Sequence, residues 1–315
     1  MPQSHPNKPG NTPDKPGQAI LLTPDFLKSW PLPQPDETGD KEDRGRTVIV
    51  GGSALMPGAI ILAATAALRA GAGKLQIGTA ATIQQHVGVA IPESLVFALP
   101  ETKEAGLARE AIPAIVEKAA HAGSLLIGPG MVHPEAVARL VTGVLKNLEK
   151  EQTAPVVVLD AEGFACLKDT PKLFHEHTCQ GVITPHAGEM ASLLGLEKSE
   201  IGRDPARIAR EAANYFKLVV ALKGSETFIA GPDGTMYHNQ SGNIGLATSG
   251  SGDVLSGIVA GLAARGAPPI QAAAWAVYLH GRAGDRLAKT LGPLGFLARE
   301  LLPEIPSLMA GLLPQ

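Results

Sequence analysis

Three observations predict an α/β fold built in three layers, with a central, mostly parallel sheet between two layers of helices. Short runs of β-branched and apolar residues recur along the chain, too uniformly apolar to keep one face in water. Helical patterns separate these runs, as the crossovers between parallel strands require. Glycine-rich turns close many of the runs, and the unusual polar residues stand at those same strand ends, where ligands of open parallel sheets bind. One pair of strands breaks the alternation and predicts an antiparallel hairpin at a sheet edge.

The elements follow in order. Residues 1–17 are rich in Pro, Asn, Lys and Gly and are read as a disordered tail, leaving 18–315 as a single domain. Residues 20–33 pack onto the domain surface, and 34–46 form a charged loop. Strand 47–50 leads through Gly51-Gly52-Ser53 and Pro57-Gly58 into an Ala-rich helix over 59–69. Gly71-Ala72-Gly73 ends that helix and strand 74–78 follows, completing a βαβ unit. A helix over 105–122 leads to strand 124–127, and a helix over 134–148 to strand 156–160. Strand 181–184 precedes a short helix ending near 194. A helix over 205–216 feeds strand 218–222, then the hairpin 227–230 and 236–238 around Pro232-Asp233-Gly234. Helices over 253–265, over 270–289 and from about 296 close the chain.

Composition narrows the function. The chain has 315 residues, 44% hydrophobic and 18% charged, with a formal net charge of −3. That length supports a sizeable core. Near-neutral charge without a basic cluster argues against a nucleic-acid partner. No apolar run approaches the roughly 20 residues that cross a bilayer, and no signal pattern opens the chain, so a cytoplasmic protein is expected. Cys166 and Cys179 have no metal-type spacing and read as buried or incidental thiols.

The most informative segment is Ser249-Gly250-Ser251-Gly252-Asp253, a turn of small residues at a helix start. Such a turn presents backbone N–H groups and the positive end of a helix dipole, a site for phosphate. Asp253 beside it suits two roles: a helix N-cap, or a base that takes a proton from a hydroxyl attacking phosphorus. The other strand ends offer similar pairs of readings. Gly128-Pro129-Gly130 is a tight turn, or a place where a ligand lies on bare backbone. Asp160 caps a loop or faces a site. In Thr184-Pro185-His186-Ala187-Gly188-Glu189, His186 and Glu189 cap a helix or place an imidazole and a carboxylate at the mouth of the site. Lys223 is a natural phosphate partner, and Gly224 permits close approach. No Walker A loop occurs, and no dinucleotide fingerprint follows the first strand.

These motifs, in this order, resemble the NAD(P)H-hydrate dehydratase family, a carbohydrate-kinase-like branch of the ribokinase-like superfamily. The resemblance runs over about residues 22–308. It is carried by Gly51-Gly52-Ser53, Pro57-Gly58-Ala59, Gly128-Pro129-Gly130, Leu159-Asp160-Ala161, the Thr184 to Glu189 box, Leu222-Lys223-Gly224, Gly245-Leu246-Ala247-Thr248, the Ser249 to Asp253 turn and His280-Gly281. It implies a ribokinase-like fold and a repair reaction on the hydrated nicotinamide of NADH or NADPH (NADHX, NADPHX). In that reaction the S epimer's ring hydroxyl is phosphorylated from ADP, and phosphate then leaves, giving AMP, phosphate and restored NAD(P)H.

The resemblance also implies roles. Asp253 is the base. Gly250, Ser251 and Gly252 form the anion hole. Lys223, Gly224, Ser225, Glu226, Thr227 and Gly252 line the nucleotide site. Ala59, Gly130, His186 and Asp253 contact the hydrated dinucleotide. Mg²⁺ is expected with the nucleotide. No ligand is assigned to it directly, and Asp160 and Glu189 are the carboxylates expected in its water shell. A stand-alone enzyme linked functionally to an NAD(P)H-hydrate epimerase is expected, as a homo-oligomer, a tetramer. Departures from the family pattern are Ser251 where Thr is usual, Asp40-Lys41 where His-Lys is usual, and residues 292–300 in place of an Ala-x-Asp segment. A ribokinase-like kinase for a vitamin precursor or sugar hydroxyl, and a non-catalytic nucleotide-binding module, are the competing readings.

Overall fold

The computed structural model describes residues 19–36, 38–150, 154–175 and 177–313. The expected tail, 1–17, lies outside the described residues. The strands are β1 (Ile20–Leu21), β2 (Arg46–Gly51), β3 (Lys74–Ala80), β4 (Leu95–Leu99), β5 (Ser124–Ile127), β6 (Val156–Leu159), β7 (Gly181–Ile183), β8 (Val219–Leu222), β9 (Thr227–Ala230) and β10 (Met236–Asn239). They form one ten-stranded sheet in the order β1-β10-β9-β8-β7-β6-β5-β2-β3-β4. From β4 to β8 neighbouring strands are parallel, and β8, β9 and β10 are antiparallel. The strand order reverses at β2, which pairs with β3 on one side and β5 on the other. That reversal makes a topological switch point, where a crevice opens at the strands' carboxyl ends.

The helices are α1 (Pro24–Ser29), α2 (Pro57–Arg69), α3 (Gln84–Ala90), α4 (Ile112–Ala119), α5 (Pro134–Leu148), α6 (Cys166–Asp169), α7 (Ala187–Leu194), α8 (Lys198–Arg203), α9 (Pro205–Phe216), α10 (Ser251–Ala264), α11 (Pro269–Thr290), α12 (Ala298–Leu301) and α13 (Glu304–Ala310). Two separate runs of neighbours make the outer layers. One runs α2, α10, α11 and then α12 and α13; the other runs from α4 through α5, α6, α7 and α8 to α9. Helices α9 and α11 both touch β8 and β9 from opposite faces of the sheet. Every residue of β5, β7 and β8 is buried, as a sheet covered on both faces requires.

Several boundaries differ from the sequence reading. The helix expected over 105–122 begins only with a 3₁₀ turn at Arg109–Ala111, because Ala105 takes φ 63° and turns the chain there. Helix α3 and strand β4 escaped the reading: α3 holds one buried residue, Val87, and β4 is a half-exposed edge strand, so neither leaves a clean periodic pattern. The hairpin strand β10 is not the outermost strand, since β1 pairs parallel to it. The segment after β1 is tied down by hydrogen bonds from Trp275 Nε1 to the Trp30 carbonyl (3.0 Å) and from Gln271 Nε2 to the Pro31 carbonyl (3.0 Å). The last expected helix is broken into α12 and α13. Both cysteines are buried, and burial pushes the Cys166 thiol up to about 12 and Cys179 up to about 11, which leaves them protonated.

One packing feature places the site. Along α10, Gly257 and Gly261 lie four residues apart, on one face. A Cβ on Gly257 would stand 2.1 Å from the Ala63 carbonyl oxygen, and one on Gly261 2.5 Å from that of Ala67. Bare backbone at both positions lets α10 rest directly on the Ala-rich α2. Helix α10 is thereby fixed below the sheet's carboxyl edge, with its N-terminus facing the ends of β6 and β8.

Candidate active site

Four loops meet around a cavity of about 710 Å³. Its wall includes Asp160, Ala161, His186, Glu189, Lys223, Gly224, Ser225, Thr227, Asn239, residues 241–244 and 246–248, Ser251, Gly252, Asp253 and His280. Asp160 follows β6 and is 3% exposed; its Oδ1 accepts a hydrogen bond from Thr184 Oγ1 at 2.7 Å. Ala161 beside it takes φ 47°, in the left-handed region that disfavours a Cβ, which turns the chain immediately after the carboxylate.

His186 follows β7 and performs both tasks the sequence left open. Its Nδ1 accepts from the N–H groups of Gly188 (3.0 Å) and Glu189 (3.1 Å), while Glu189 Oε2 accepts from the His186 N–H (2.7 Å). This capping box starts α7 and holds the imidazole and carboxylate at the mouth of the cavity. Since Nδ1 accepts backbone hydrogens, the proton of the neutral ring sits on Nε2. Lys223 follows β8, with its N–H bonded to the Pro185 carbonyl at 2.8 Å, so His186 and Lys223 lie side by side. Its Nζ is 3.8 Å from Asp160 and 3.9 Å from Glu189. A Cβ on Gly252 would come within 3.3 Å of that ammonium, which therefore hangs over the first turn of α10.

Helix α10 is capped by Gly250 at φ 86°, with no side-chain cap, so Asp253 is not its N-cap. Asp253 stands inside the first turn, and its pKa is raised from 3.8 to about 7. Burial is the largest cause and the neighbouring Asp160 the second, while Lys223 acts in the opposite sense. The N–H groups at 252 and 253 have no acceptor within the helix, as in any first turn. Glu162 is also raised, by burial and then by Glu189.

Not every expected residue lines this cavity. Glu226 turns away: His238 Nε2 lies 2.9 Å from one carboxylate oxygen and Gln240 Nε2 donates to the other at 3.1 Å. Gly250 backs onto α2 and α12, where a Cβ would meet Leu62 and Ala298. Ala59 and Gly130 face each other at the β2–β5 switch point; a Cβ on Gly130, which has φ 66°, would stand 2.9 Å from the Ala59 methyl group. Sequence reasoning gave no role to Asp285 of α11, which accepts hydrogen bonds from the Gly242 N–H and Asn243 Nδ2, each at 3.2 Å, and holds the loop forming one cavity wall. Only tertiary contact joins residues 43 positions apart in this way. His280 was visible as His280-Gly281 but had no assigned task.

Among the described residues no cluster of three or more His, Cys, Asp or Glu side chains is placed to hold a metal ion. Among the described residues no helix is long and apolar enough to cross a membrane.

Comparison with known proteins settles the family. The family model for NAD(P)H-hydrate dehydratase matches residues 47–307. The chain belongs to that family. A relative from Xanthomonas campestris, named an ADP-dependent (S)-NAD(P)H-hydrate dehydratase, is 44% identical over 290 residues, 91% of this chain and 95% of its own length. A bifunctional NAD(P)H-hydrate repair enzyme from Moorella thermoacetica is 42% identical, and the match spans 93% of this chain but only 54% of that protein. The crystal structure of the ADP/ATP-dependent dehydratase from Bacillus subtilis, co-crystallized with ATP and Mg²⁺, superposes with a TM-score of 0.80 at 29% identity, covering 93% of this chain and 99% of its own. The ribokinase-like fold expected from the motifs is thus the fold of the dehydratase.

Proposed function

We propose that this chain repairs hydrated NADH and NADPH, dehydrating the S epimer with ADP as phosphoryl donor. The observation that carries the reading is Asp253: a carboxylate with its pKa near neutrality, in the first turn of a helix whose backbone N–H groups suit an anion. A base poised near pH 7 is matched to taking a proton from a hydroxyl.

In the first step Asp253 accepts the ring hydroxyl's proton as its oxygen attacks the terminal phosphorus of ADP. The bond from that phosphorus to the bridging oxygen breaks, and AMP departs. In the second step the ring nitrogen's lone pair drives phosphate off the ring. Loss of a proton from the neighbouring carbon restores the double bond. Hydroxide leaves poorly and phosphate leaves well, which is why the reaction requires the donor.

The anion hole is assigned to the Gly250, Ser251 and Gly252 turn, where the Ser251 N–H already bonds to the Thr248 carbonyl (3.3 Å) and the N–H groups of Gly252 and Asp253 are the ones left for an anion, with the Lys223 ammonium above them. Lys223, Gly224, Ser225 and Thr227 form the nucleotide wall. The Glu226 carboxylate is committed to His238 and Gln240, so its contribution is to shape the hairpin rather than to bind the nucleotide. His186 and Asp253 contact the hydrated dinucleotide, whose path continues to Ala59 and Gly130 at the switch point.

Mg²⁺ fits the donor set. The cavity wall carries three carboxylates, Asp160, Glu189 and Asp253, against one ammonium, Lys223, so phosphate groups entering it lack positive charge. Asp160 and Glu189 offer hard oxygen ligands suited to holding the ion through water. When bound, the ion would neutralise charge on the transferring phosphoryl group.

A cytoplasmic, tetrameric enzyme acting after an NAD(P)H-hydrate epimerase completes the proposal, with residues 18–315 as one domain. Support for the epimerase link is the bifunctional relative, whose name joins repair functions in one chain about twice as long. The test is to supply hydrated NADH with ADP and with ATP in parallel and to follow the return of NADH absorbance. A stable phosphorylated alcohol without that return would favour the kinase reading.

A further inference from the structure

His280 projects from α11 into the cavity wall, where its Nε2 lies 3.0 Å from Ser251 Oγ and 3.0 Å from the Ser251 carbonyl oxygen. A carbonyl oxygen only accepts hydrogen bonds. Two acceptors at that separation would repel, so Nε2 carries the hydrogen. The same N–H faces Ser251 Oγ, and toward His280 the hydroxyl therefore acts as an acceptor. Its single hydrogen must point elsewhere. Among the described residues no other acceptor takes it. Ser251 is the first residue of α10 and lines the cavity beside Gly252. The direction left for that hydrogen is the space where the phosphoryl group would stand.

We infer that His280 is a positioning residue: by donating from Nε2 to both Ser251 oxygens, it fixes the serine hydroxyl as a hydrogen-bond donor to the transferring phosphoryl group. The inference rests on the reading of the α10 N-terminus as the phosphoryl site. The imidazole does not switch off near neutral pH. Burial first, and then the Lys223 charge, push its pKa down to about 4, so it stays a neutral donor. Its action is on the direction of one hydrogen, and so on turnover more than on nucleotide affinity.

The test is a double-mutant cycle on the full chain with hydrated NADH and ADP, reading kcat alongside ADP affinity by calorimetry. Ser251→Ala removes the donor and is expected to lower kcat by roughly 10²-fold, as loss of one such donor does. His280→Leu is expected to lower kcat by about tenfold or more. The double variant should be within about threefold of Ser251→Ala alone, because the imidazole has then lost the group it directs. His280→Gln, whose amide N–H reaches as far as Nε2, should restore kcat to within about fivefold of wild type. His280→Asn, whose amide stops short, should not. Nucleotide affinity should stay within about threefold throughout. If His280→Leu does not fold, the Gln and Asn variants carry the comparison. Losses that multiply in the double variant, or a His280→Gln variant no better than His280→Asn, would overturn the inference while leaving the site assignment standing. Full turnover in Ser251→Ala would overturn the inference as well, because that variant loses only the hydroxyl and keeps the backbone of the turn; full turnover in Asp253→Asn would instead overturn the phosphoryl-site reading itself.

Discussion

Replacing Asp253 by asparagine is predicted to stabilise the protein at neutral and alkaline pH while removing its activity. The carboxylate's pKa is raised from 3.8 to about 7, chiefly by burial and by the charge of Asp160. A raised carboxylate pKa means that the folded protein disfavours the ionised form. That penalty is absent below about pH 4, grows as the pH climbs toward 7, and is complete above it. The shift of about three units corresponds to roughly 4 kcal/mol at most, at about 1.4 kcal/mol per unit. Solvent reaching a half-buried group reduces this to about 1–3 kcal/mol. Asparagine keeps the shape without the charge. Its thermal midpoint at pH 8 should exceed that of the wild type by several degrees, at about 2–4 °C per kcal/mol, and the gain should vanish at pH 4. Turnover should fall by at least about 10²-fold, as expected for removal of a general base. The assay is thermal unfolding from pH 4 to 8 beside steady-state kinetics. An asparagine variant no more stable than wild type at pH 8 would refute the argument that this carboxylate is held against its ionisation.

Further outcomes follow from the same geometry. In the free enzyme kcat/KM should rise with pH through about 7, as Asp253 loses its proton. Lys223→Met removes the one influence from Lys223 that lowers the Asp253 pKa, so this limb should move to higher pH, with ADP affinity weakened about tenfold or more. Gly257→Ala forces a methyl group against the Ala63 carbonyl and should cost about 1–3 kcal/mol by thermal unfolding, with reduced turnover as α10 shifts. Asp285→Ala releases the Gly242 and Asn243 backbone and side-chain donors; a KM for ADP raised about threefold or more with a smaller change in kcat is expected, since a loose loop taxes binding before chemistry.

The parallel sheet was readable because its buried strands are uniformly apolar and close in glycine turns. The Ser249 to Asp253 turn, the Thr184 to Glu189 box and Lys223 were readable for a related reason: each is local in sequence and stands at a strand or helix end. What escaped was non-local or unpatterned. Strand β4 lies at an edge, half exposed, and α3 buries one side chain, so periodicity has little to act on. Asp285 and His280 lie within a long helix, and only the fold brings them to residues 29–43 positions away. The helix expected from 105 failed because the left-handed backbone at Ala105 is set by its surroundings rather than by the residue. Glu226 was expected to face the nucleotide, but His238 and Gln240, across the hairpin, hold its carboxylate.

The most direct test of the central claim is a single reaction: purified protein, hydrated NADH, Mg²⁺ and ADP. The account predicts recovery of NADH absorbance with one AMP and one phosphate formed per NADH, and no recovery with Asp253→Asn. A phosphorylated product that accumulates without NADH, or full recovery with the Asp253→Asn variant, would contradict it.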